Sequence, residues 1–160
     1  MLFRSNEMVG MLISEARSHG VSIRTDLNDS LPLTMADRVQ IQQVLMNLML
    51  NGIEAMSKTG GVLTIRSGLA TNGQIQISIE DTGPGLPPDK IDQLFEAFFT
   101  TKPQGSGMGL SISKSIIEMH GGRIWATVNE GRGATFQFTL PSATEDPNSI
   151  GCERDEGRYG

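Results

Sequence analysis

Polar side chains recur between residues 37 and 58 at a spacing that an α-helix would place on one side. At about 100° per residue they fall within roughly a quarter of the helix circumference. They are Gln40, Gln43, Asn47, Asn51, Glu54 and Lys58. The positions between them are mostly apolar, so the predicted helix is buried on most sides. Amides and carboxylates on such a helix must bond within the protein or face a ligand. The segment is compatible with a buried polar network, a narrow solvent-facing edge or a ligand-binding face.

A carboxylate stands where a predicted strand ends. Asp81 follows the alternating pattern QIQISIE and precedes Thr82, Gly83, Pro84 and Gly85. A carboxylate beside Gly-x-Gly can accept hydrogen bonds from a ligand amine. An aspartate can also cap a turn through its own backbone. The motif alone leaves both roles open.

A second glycine-rich segment precedes the last predicted helix. Gly105, Gly107 and Gly109 lead into an apolar pattern over residues 110–119. Backbone N–H groups from a glycine loop at a helix N-terminus can form an anion site. No Lys-Ser/Thr pair follows the glycines, so this is not a Walker A loop. No βαβ unit with a ribose-binding carboxylate surrounds it, so it is not a dinucleotide fingerprint either. By itself the loop is a weak indication of phosphate binding.

These motifs require helices and strands to hold them. Periodicity predicts helices over 5–19, 37–58, 90–99 and 110–119, strands over 21–27, 62–69 and 74–81, and a hairpin over 123–141. Asn72-Gly73 predicts a tight turn between the second and third strands. His19 and His120 fall at predicted helix ends. There a histidine side chain is expected to interact with the end of the helix, rather than to act as a catalytic base.

The composition limits the classes of protein. A chain of 160 residues suffices for one domain, and its formal charge of -5 argues against a nucleic-acid surface. The single cysteine, Cys152, excludes an internal disulfide framework. No apolar run approaches a membrane span and no signal peptide opens the chain, so a cytoplasmic location without membrane contact is expected. Residues 142–160 lack apolar periodicity and are predicted to be a disordered tail after a domain of residues 1–141.

The order of the motifs resembles the Bergerat-type ATP-binding fold, shared by sensor histidine kinases, type II topoisomerases, mismatch-repair ATPases and heat-shock chaperones. NLMLNGIEAM resembles the N box, DTGPGL the first glycine box, LFEAFFTTK the F box and GSGMGLSIS the second glycine box. GGRIWATVNEGRGATFQFTLP resembles the final hairpin of the kinase type. The resemblance extends from about residue 5 to Pro141. It implies an α+β two-layer sandwich, in which about three helices cover one face of a mixed, mostly antiparallel sheet.

The same resemblance implies ATP and Mg²⁺ as ligands. Asn51 would give a neutral oxygen to the Mg²⁺ that bridges the phosphates. Asp81 would accept from the adenine amino group, in a pocket shaped by Thr82, Gly83 and Gly85. The phosphates would bind backbone amides of a mobile lid formed by Gly105, Gly107, Gly109 and Leu110. Two side chains, Asn47 and Lys102, would also bind the nucleotide and have catalytic roles. Lys102 could equally be a solvated loop lysine.

Asn47 discriminates within this superfamily. Topoisomerase-type ATPases and anti-sigma-factor serine kinases carry a glutamate base at the matching position. An amide cannot abstract a proton from water or serine. Histidine kinases resemble this chain in having asparagine there, since a neutral imidazole is already nucleophilic. Asn47 therefore favours phosphoryl transfer to histidine over ATP hydrolysis.

The phosphoacceptor motif of such kinases is not found in this sequence. Neither His19 nor His120 is followed by an acidic residue on a helix hairpin. The expected partners are therefore a dimerisation domain carrying the acceptor histidine, in another segment or chain, and indirectly a response regulator. The isolated segment is expected to be monomeric and cytoplasmic. A cytoplasmic location is also compatible with its being the cytoplasmic part of a membrane-bound sensor. The alternative is a non-catalytic nucleotide-binding regulator or a serine kinase of the anti-sigma-factor type.

Overall fold

The computed structural model describes residues 6–28, 30–31, 34–96 and 109–142. In chain order these form α1 (Asn6–Ser18), β1 (Val21–Asp26), α2 (Arg38–Ala55), β2 (Gly61–Leu69), β3 (Ile75–Glu80), a 3₁₀ helix (Pro88–Gln93), α3 (Gly109–Met119), β4 (Arg123–Val128) and β5 (Ala134–Leu140). Lys102, Gly105 and Gly107 lie outside the described residues. So does the predicted tail apart from Ser142, which is buried and therefore belongs to the folded region.

The strands form one five-stranded sheet in the order β1-β2-β3-β5-β4. β1 and β2 are parallel, whereas β2–β3, β3–β5 and β4–β5 are antiparallel. Parallel neighbours need a crossover connection, and α2 provides it between β1 and β2. The Asn72-Gly73 turn joins β2 to β3, with the Ala70 N–H donating to the Gln74 carbonyl at 2.8 Å. The predicted mixed, mostly antiparallel sheet is confirmed.

One face of the sheet is apolar and covered by the helices. Alternate strand residues point toward the helices; those buried there are Leu63, Ile65, Ile75, Ile77, Ile79, Ile124, Ala126, Phe136, Phe138 and Leu140. The buried side chains of α1, α2 and α3 belong to the same core cluster. The two-layer α+β architecture is therefore confirmed. Within the described ranges no helix is both long and apolar enough to cross a membrane.

Helix α2 begins where the sequence predicts and ends earlier. The Asp37 carboxylate caps it by accepting the Gln40 N–H at 3.1 Å. The helix ends at Ala55, and the chain then turns so that the Gly60 N–H donates to the Met56 carbonyl at 2.7 Å. Gly60 has a φ of 69°, which glycine adopts without strain. The predicted extension to Lys58 is therefore wrong, and Lys58 does not lie on the polar side of α2.

The helix predicted over residues 90–99 takes a different form. The structure has a 3₁₀ helix over Pro88–Gln93, with i→i+3 bonds such as the Lys90 N–H to the Pro87 carbonyl at 3.0 Å. Pro88 opens this helix, where the missing proline N–H costs no helical hydrogen bond. Phe95 lies beyond it, edge-on to Phe136 with ring centroids 6.3 Å apart. Residues 97–99 lie outside the described part of the chain.

His120 connects the end of α3 to the start of α2. Its Nδ1 is 2.7 Å from the Ile116 carbonyl oxygen, which can only accept, so Nδ1 carries the proton. Nε2 is then the acceptor for the Asp37 N–H at 3.0 Å. This is the helix-end role expected for His120. His19 likewise pairs with Glu15 one turn earlier, at 3.2 Å.

Candidate functional site

Asp81 is a buried carboxylate held at the end of β3. Its residue is 4% exposed. Oδ1 accepts the N–H of Gly83 at 3.0 Å and the N–H of Ala134 at 3.2 Å. The Asp81 N–H in turn donates to the Ala134 carbonyl at 2.9 Å. Two backbone donors and the pairing with the start of β5 therefore fix the orientation of this side chain.

The burial of Asp81 changes its acidity. Desolvation raises the pKa of its carboxyl above the ordinary value, because a charge is harder to hold away from water. The N–H bonds from Gly83 and Ala134 oppose this by stabilising the charged form, and the nearby charge of Glu80 raises the pKa further. A raised pKa in a fixed, buried carboxylate is typical of a functional site.

The second carboxylate oxygen of Asp81 faces α2 at Gly52. A Cβ atom on Gly52 would lie 3.9 Å from Asp81 Oδ2 and 2.6 Å from Leu63 Cδ1. Glycine at this position lets Leu63 pack against the helix and keeps bulk away from Oδ2. The Asp81 carboxylate, just after β3, therefore lies against the buried side of α2 at Gly52, the residue that follows Asn51.

A backbone loop follows Asp81; we call residues 81–85 the carboxylate loop. Gly85 has a φ of 87°, a conformation that L side chains rarely adopt. The Thr82 hydroxyl accepts the Val62 N–H at 3.1 Å. Met56 lies against the loop, with Sδ 3.4 Å from the Thr82 nitrogen. The loop is therefore joined to β2 and to the end of α2.

The β4–β5 turn supports the carboxylate loop from the other side. The Asn129 side chain donates to the Asp81 carbonyl at 3.3 Å. Gly133 lies so close that a Cβ atom there would be 1.9 Å from the Asp81 carbonyl oxygen. Only glycine fits this contact. Asn129 and Gly133 thus contact Asp81 directly, although the sequence predicts only a hairpin over residues 123–141 here.

The two asparagines of α2 form a second region of the site; we call Asn47 and Asn51 the amide face. They are one helical turn apart and both are half-buried. Asn47 Nδ2 donates to the Gly109 carbonyl and to the Ser113 hydroxyl, each at 3.3 Å. The Ser113 hydroxyl donates to the Gly109 carbonyl at 2.9 Å. The amide face is therefore linked to the first turn of α3.

The described residues thus divide the predicted site into two regions. The first contains Asp81, Thr82, Gly83 and Gly85, and the second contains Asn47, Asn51, Gly109 and Leu110. Leu110 packs against the hydrophobic core. The sequence did not single out Met56, Asn129, Gly133 or Ser113 as site residues. The GRG turn was the available signal for Gly133, whereas nothing local indicates a role for the buried Met56.

No ready-made acidic metal site accompanies these residues. In the region of the chain with described coordinates, no three His, Cys, Asp or Glu side chains are grouped to hold a metal ion. An amide oxygen from the amide face remains a suitable ligand for a hard cation that also binds phosphate and water oxygens. The amide oxygens therefore fit a hard cation whose other ligands are phosphate and water oxygens.

Comparison with known protein families identifies one match that covers most of the chain. Residues 36–144 match the family described as histidine kinase-, DNA gyrase B-, and HSP90-like ATPase. The chain is 49% identical over 135 residues to the sensor protein FixL of Bradyrhizobium diazoefficiens, covering 84% of this chain and 27% of FixL. It therefore spans about a quarter of that relative's length.

Solved structures show the same fold. The catalytic domain of histidine kinase ThkA superposes with a TM-score of 0.74 at 36% identity, covering 86% of this chain and 89% of that one. Full-length ShkA in complex with AMPPNP superposes with a TM-score of 0.77 at 29% identity, covering 86% of this chain and 29% of ShkA. The similarity to the ThkA domain spans nearly all of both chains.

Proposed function

The chain belongs to the family of histidine kinase-, DNA gyrase B- and HSP90-like ATPases, as a catalytic domain of the histidine kinase type, and we propose that it donates the γ-phosphoryl group of Mg²⁺-ATP to a histidine on another domain. The observation that best supports this proposal is the buried, oriented carboxylate of Asp81. One of its oxygens is occupied by two backbone donors, and the other faces Gly52.

Asp81 suits the recognition of adenine. Because Oδ1 is held by two backbone N–H groups, the other oxygen of this buried carboxylate can accept one N–H of an exocyclic amino group. A ligand without that amino group leaves the oxygen unpaired and should therefore bind more weakly. Thr82, Gly83 and Gly85 form the backbone beside it and would shape the pocket for the ring. The AMPPNP in the ShkA structure supports an adenine nucleotide as the ligand of this fold.

The amide face suits the phosphate end of the nucleotide. We assign Asn51 as the protein ligand of Mg²⁺, with phosphate and water oxygens completing its coordination. Bound Mg²⁺ would neutralise phosphate charge during transfer. We assign backbone amides of Gly105, Gly107, Gly109 and Leu110 and the Lys102 ammonium to the phosphates, in keeping with the glycine-box resemblance.

Asn47 supports a histidine as the acceptor. Its amide donates to Gly109 and Ser113 and cannot serve as a base, so activation of water or serine has no proton acceptor at this position. A neutral imidazole needs none. His19 pairs with Glu15 and His120 bonds two backbone groups, so neither suits the acceptor role. We propose a partner domain that carries the acceptor and passes the phosphoryl group to a response regulator, with this domain monomeric and in the cytoplasm.

Calorimetric titration with a non-hydrolysable ATP analogue tests the proposal. The wild-type chain should bind, and more tightly with Mg²⁺. Asp81→Asn keeps an Oδ1 acceptor for Gly83 and Ala134 but turns a donor toward the adenine amino group, so affinity should fall about 10- to 100-fold. Asn51→Ala should bind without a Mg²⁺ effect.

Three results with the same proteins would contradict the proposal. A folded wild-type chain that does not bind the analogue, or an Asp81→Asn variant that binds it equally well, contradicts adenine recognition. Brisk ATP hydrolysis by the isolated chain contradicts transfer to histidine, because Asn47 provides no base. Transfer of phosphate to an added histidine-bearing helix hairpin is the positive outcome.

A further inference from the structure

Met56 lies under the carboxylate loop without having been predicted to act there. It directly follows the last residue of α2, and its side chain is fully buried. Its sulfur is 3.4 Å from the Thr82 nitrogen and 3.5 Å from the Thr82 hydroxyl oxygen. Both are hydrogen-bonding distances for the large sulfur atom, which is a weak acceptor.

Consecutive backbone N–H groups in the loop have three different partners. The Asp81 N–H donates to Ala134 on β5, and the Gly83 N–H donates to the Asp81 carboxylate. The Thr82 N–H donates to the Met56 sulfur. The first bond ties the loop to the sheet and the second is internal to the loop, whereas the third ties the loop to the end of α2.

The Thr82 hydroxyl strengthens the same link. It accepts the Val62 N–H, which leaves its own hydrogen to donate to the Met56 sulfur. Gly61 makes room for this pair, because a Cβ atom there would lie 2.6 Å from the sulfur. The sulfur therefore receives two donors from one residue, in a space that a side chain at residue 61 would fill.

We propose that Met56 is a positioning residue for base recognition, whose thioether fixes the carboxylate loop relative to α2. This inference rests on the proposed function. Asn51 and Met56 belong to one continuous stretch of chain at the end of α2, while Asp81 follows β3. A bond from Met56 to Thr82 therefore sets the distance between the group that recognises the base and the group assigned to the Mg²⁺-phosphate end.

Met56→Leu separates the acceptor role from packing. Leucine is nearly the same size and fills a buried site with little loss, but it has no acceptor atom. Met49→Leu is the matched control, since Met49 lies within α2, is as fully buried as Met56 and packs in the core. Both variants should keep a thermal midpoint close to that of the wild-type chain.

Binding of a non-hydrolysable ATP analogue should be compared with binding of its inosine counterpart, in which a carbonyl replaces the amino group. Met56→Leu should weaken binding of the adenine compound by about 3- to 10-fold and leave the inosine compound unchanged, so discrimination falls by the same factor. Met49→Leu should change neither. In the wild-type chain, NMR hydrogen exchange should show that the Thr82 amide is protected. In Met56→Leu the same amide should exchange faster.

The outcomes separate this inference from the proposed function. If the wild-type chain does not bind the adenine compound, the proposed function is wrong. If it binds and Met56→Leu keeps full discrimination, or if both leucine variants lose affinity equally, Met56 has no positioning role. Rapid exchange of the Thr82 amide in the wild-type chain also contradicts the inference, and it requires no variant.

Discussion

The carboxylate loop and the amide face are built differently, although we propose that both bind one nucleotide. Asp81 is 4% exposed and bonded to backbone groups on two sides. Asn47 and Asn51 are half-buried, and the Asn47 amide makes two long bonds of 3.3 Å to α3. The carboxylate loop is fixed at the end of the central strand β3, while the amide face is a half-buried surface of α2 that Asn47 links to α3.

The difference is consistent with what we propose each region binds. A neutral amino group offers little energy, so an acceptor distinguishes it only when it is already desolvated and correctly oriented. Phosphates and a divalent cation carry large charges, which interact strongly even at partly exposed groups. Rigidity is therefore needed on the base side, and accessibility on the phosphate side.

The largest effect is expected from breaking the support of the carboxylate loop. Gly133→Ala places a methyl group against the Asp81 carbonyl oxygen, so the unfolding free energy should fall by about 3–5 kcal/mol and analogue binding should be lost. Gly131→Ala is the control. Gly131 also has a positive φ, 88°, but no atom lies within 4 Å of its added methyl group. Its cost should be about 1 kcal/mol in urea unfolding, with binding retained. Equal effects of the two substitutions would show that the close contact is unimportant.

The next effect is a pH dependence from Asp81. The amino group needs the ionised carboxylate, so analogue affinity should fall about tenfold per pH unit once the pH drops below the raised pKa. The free energy of unfolding should depend on pH in the opposite direction. Between the ordinary carboxyl pKa of about 4 and the raised one, the folded chain binds more protons than the unfolded chain, so stability falls as pH rises. Calorimetry and urea unfolding of the wild-type chain and Asp81→Asn across this range measure both. An Asp81→Asn variant with the same profiles would exclude Asp81 as the titrating group.

The smallest effect is expected on the amide face. Ser113→Ala removes one acceptor for Asn47, so Mg²⁺-dependent analogue affinity should fall only about 2- to 5-fold. The ratio of adenine to inosine binding should stay unchanged, because Asp81 is untouched. Ser115→Ala, at an exposed position of the same helix, is the matched control. A change in base discrimination with Ser113→Ala would show that the two regions of the site are not independent.

Local sequence signals predicted most of the elements. The alternating strands, the Asn72-Gly73 turn and the β4–β5 hairpin are encoded by neighbouring residues, and each forms as predicted. The errors lie at element ends. The extension of α2 to Lys58 was wrong, because the bonds that close the turn after Ala55, rather than apolar periodicity, determine where the helix stops. Of the helix predicted over residues 90–99, the described part contains a 3₁₀ helix over Pro88–Gln93 instead.

The sequence by itself predicted an ATP-binding fold of the histidine kinase type, because the order of its polar and glycine motifs resembles that of this family. It also identified Asp81 as the candidate acceptor. Only the tertiary structure decided what holds that carboxylate. Ala134 lies 53 positions away and Met56 25 positions before Asp81, and their contacts with the loop arise from the pairing of β3 with β5 and the packing of α2 on the sheet. Such partners have no local signature, since a hydrogen bond between distant residues depends on register and packing rather than on neighbouring residue types.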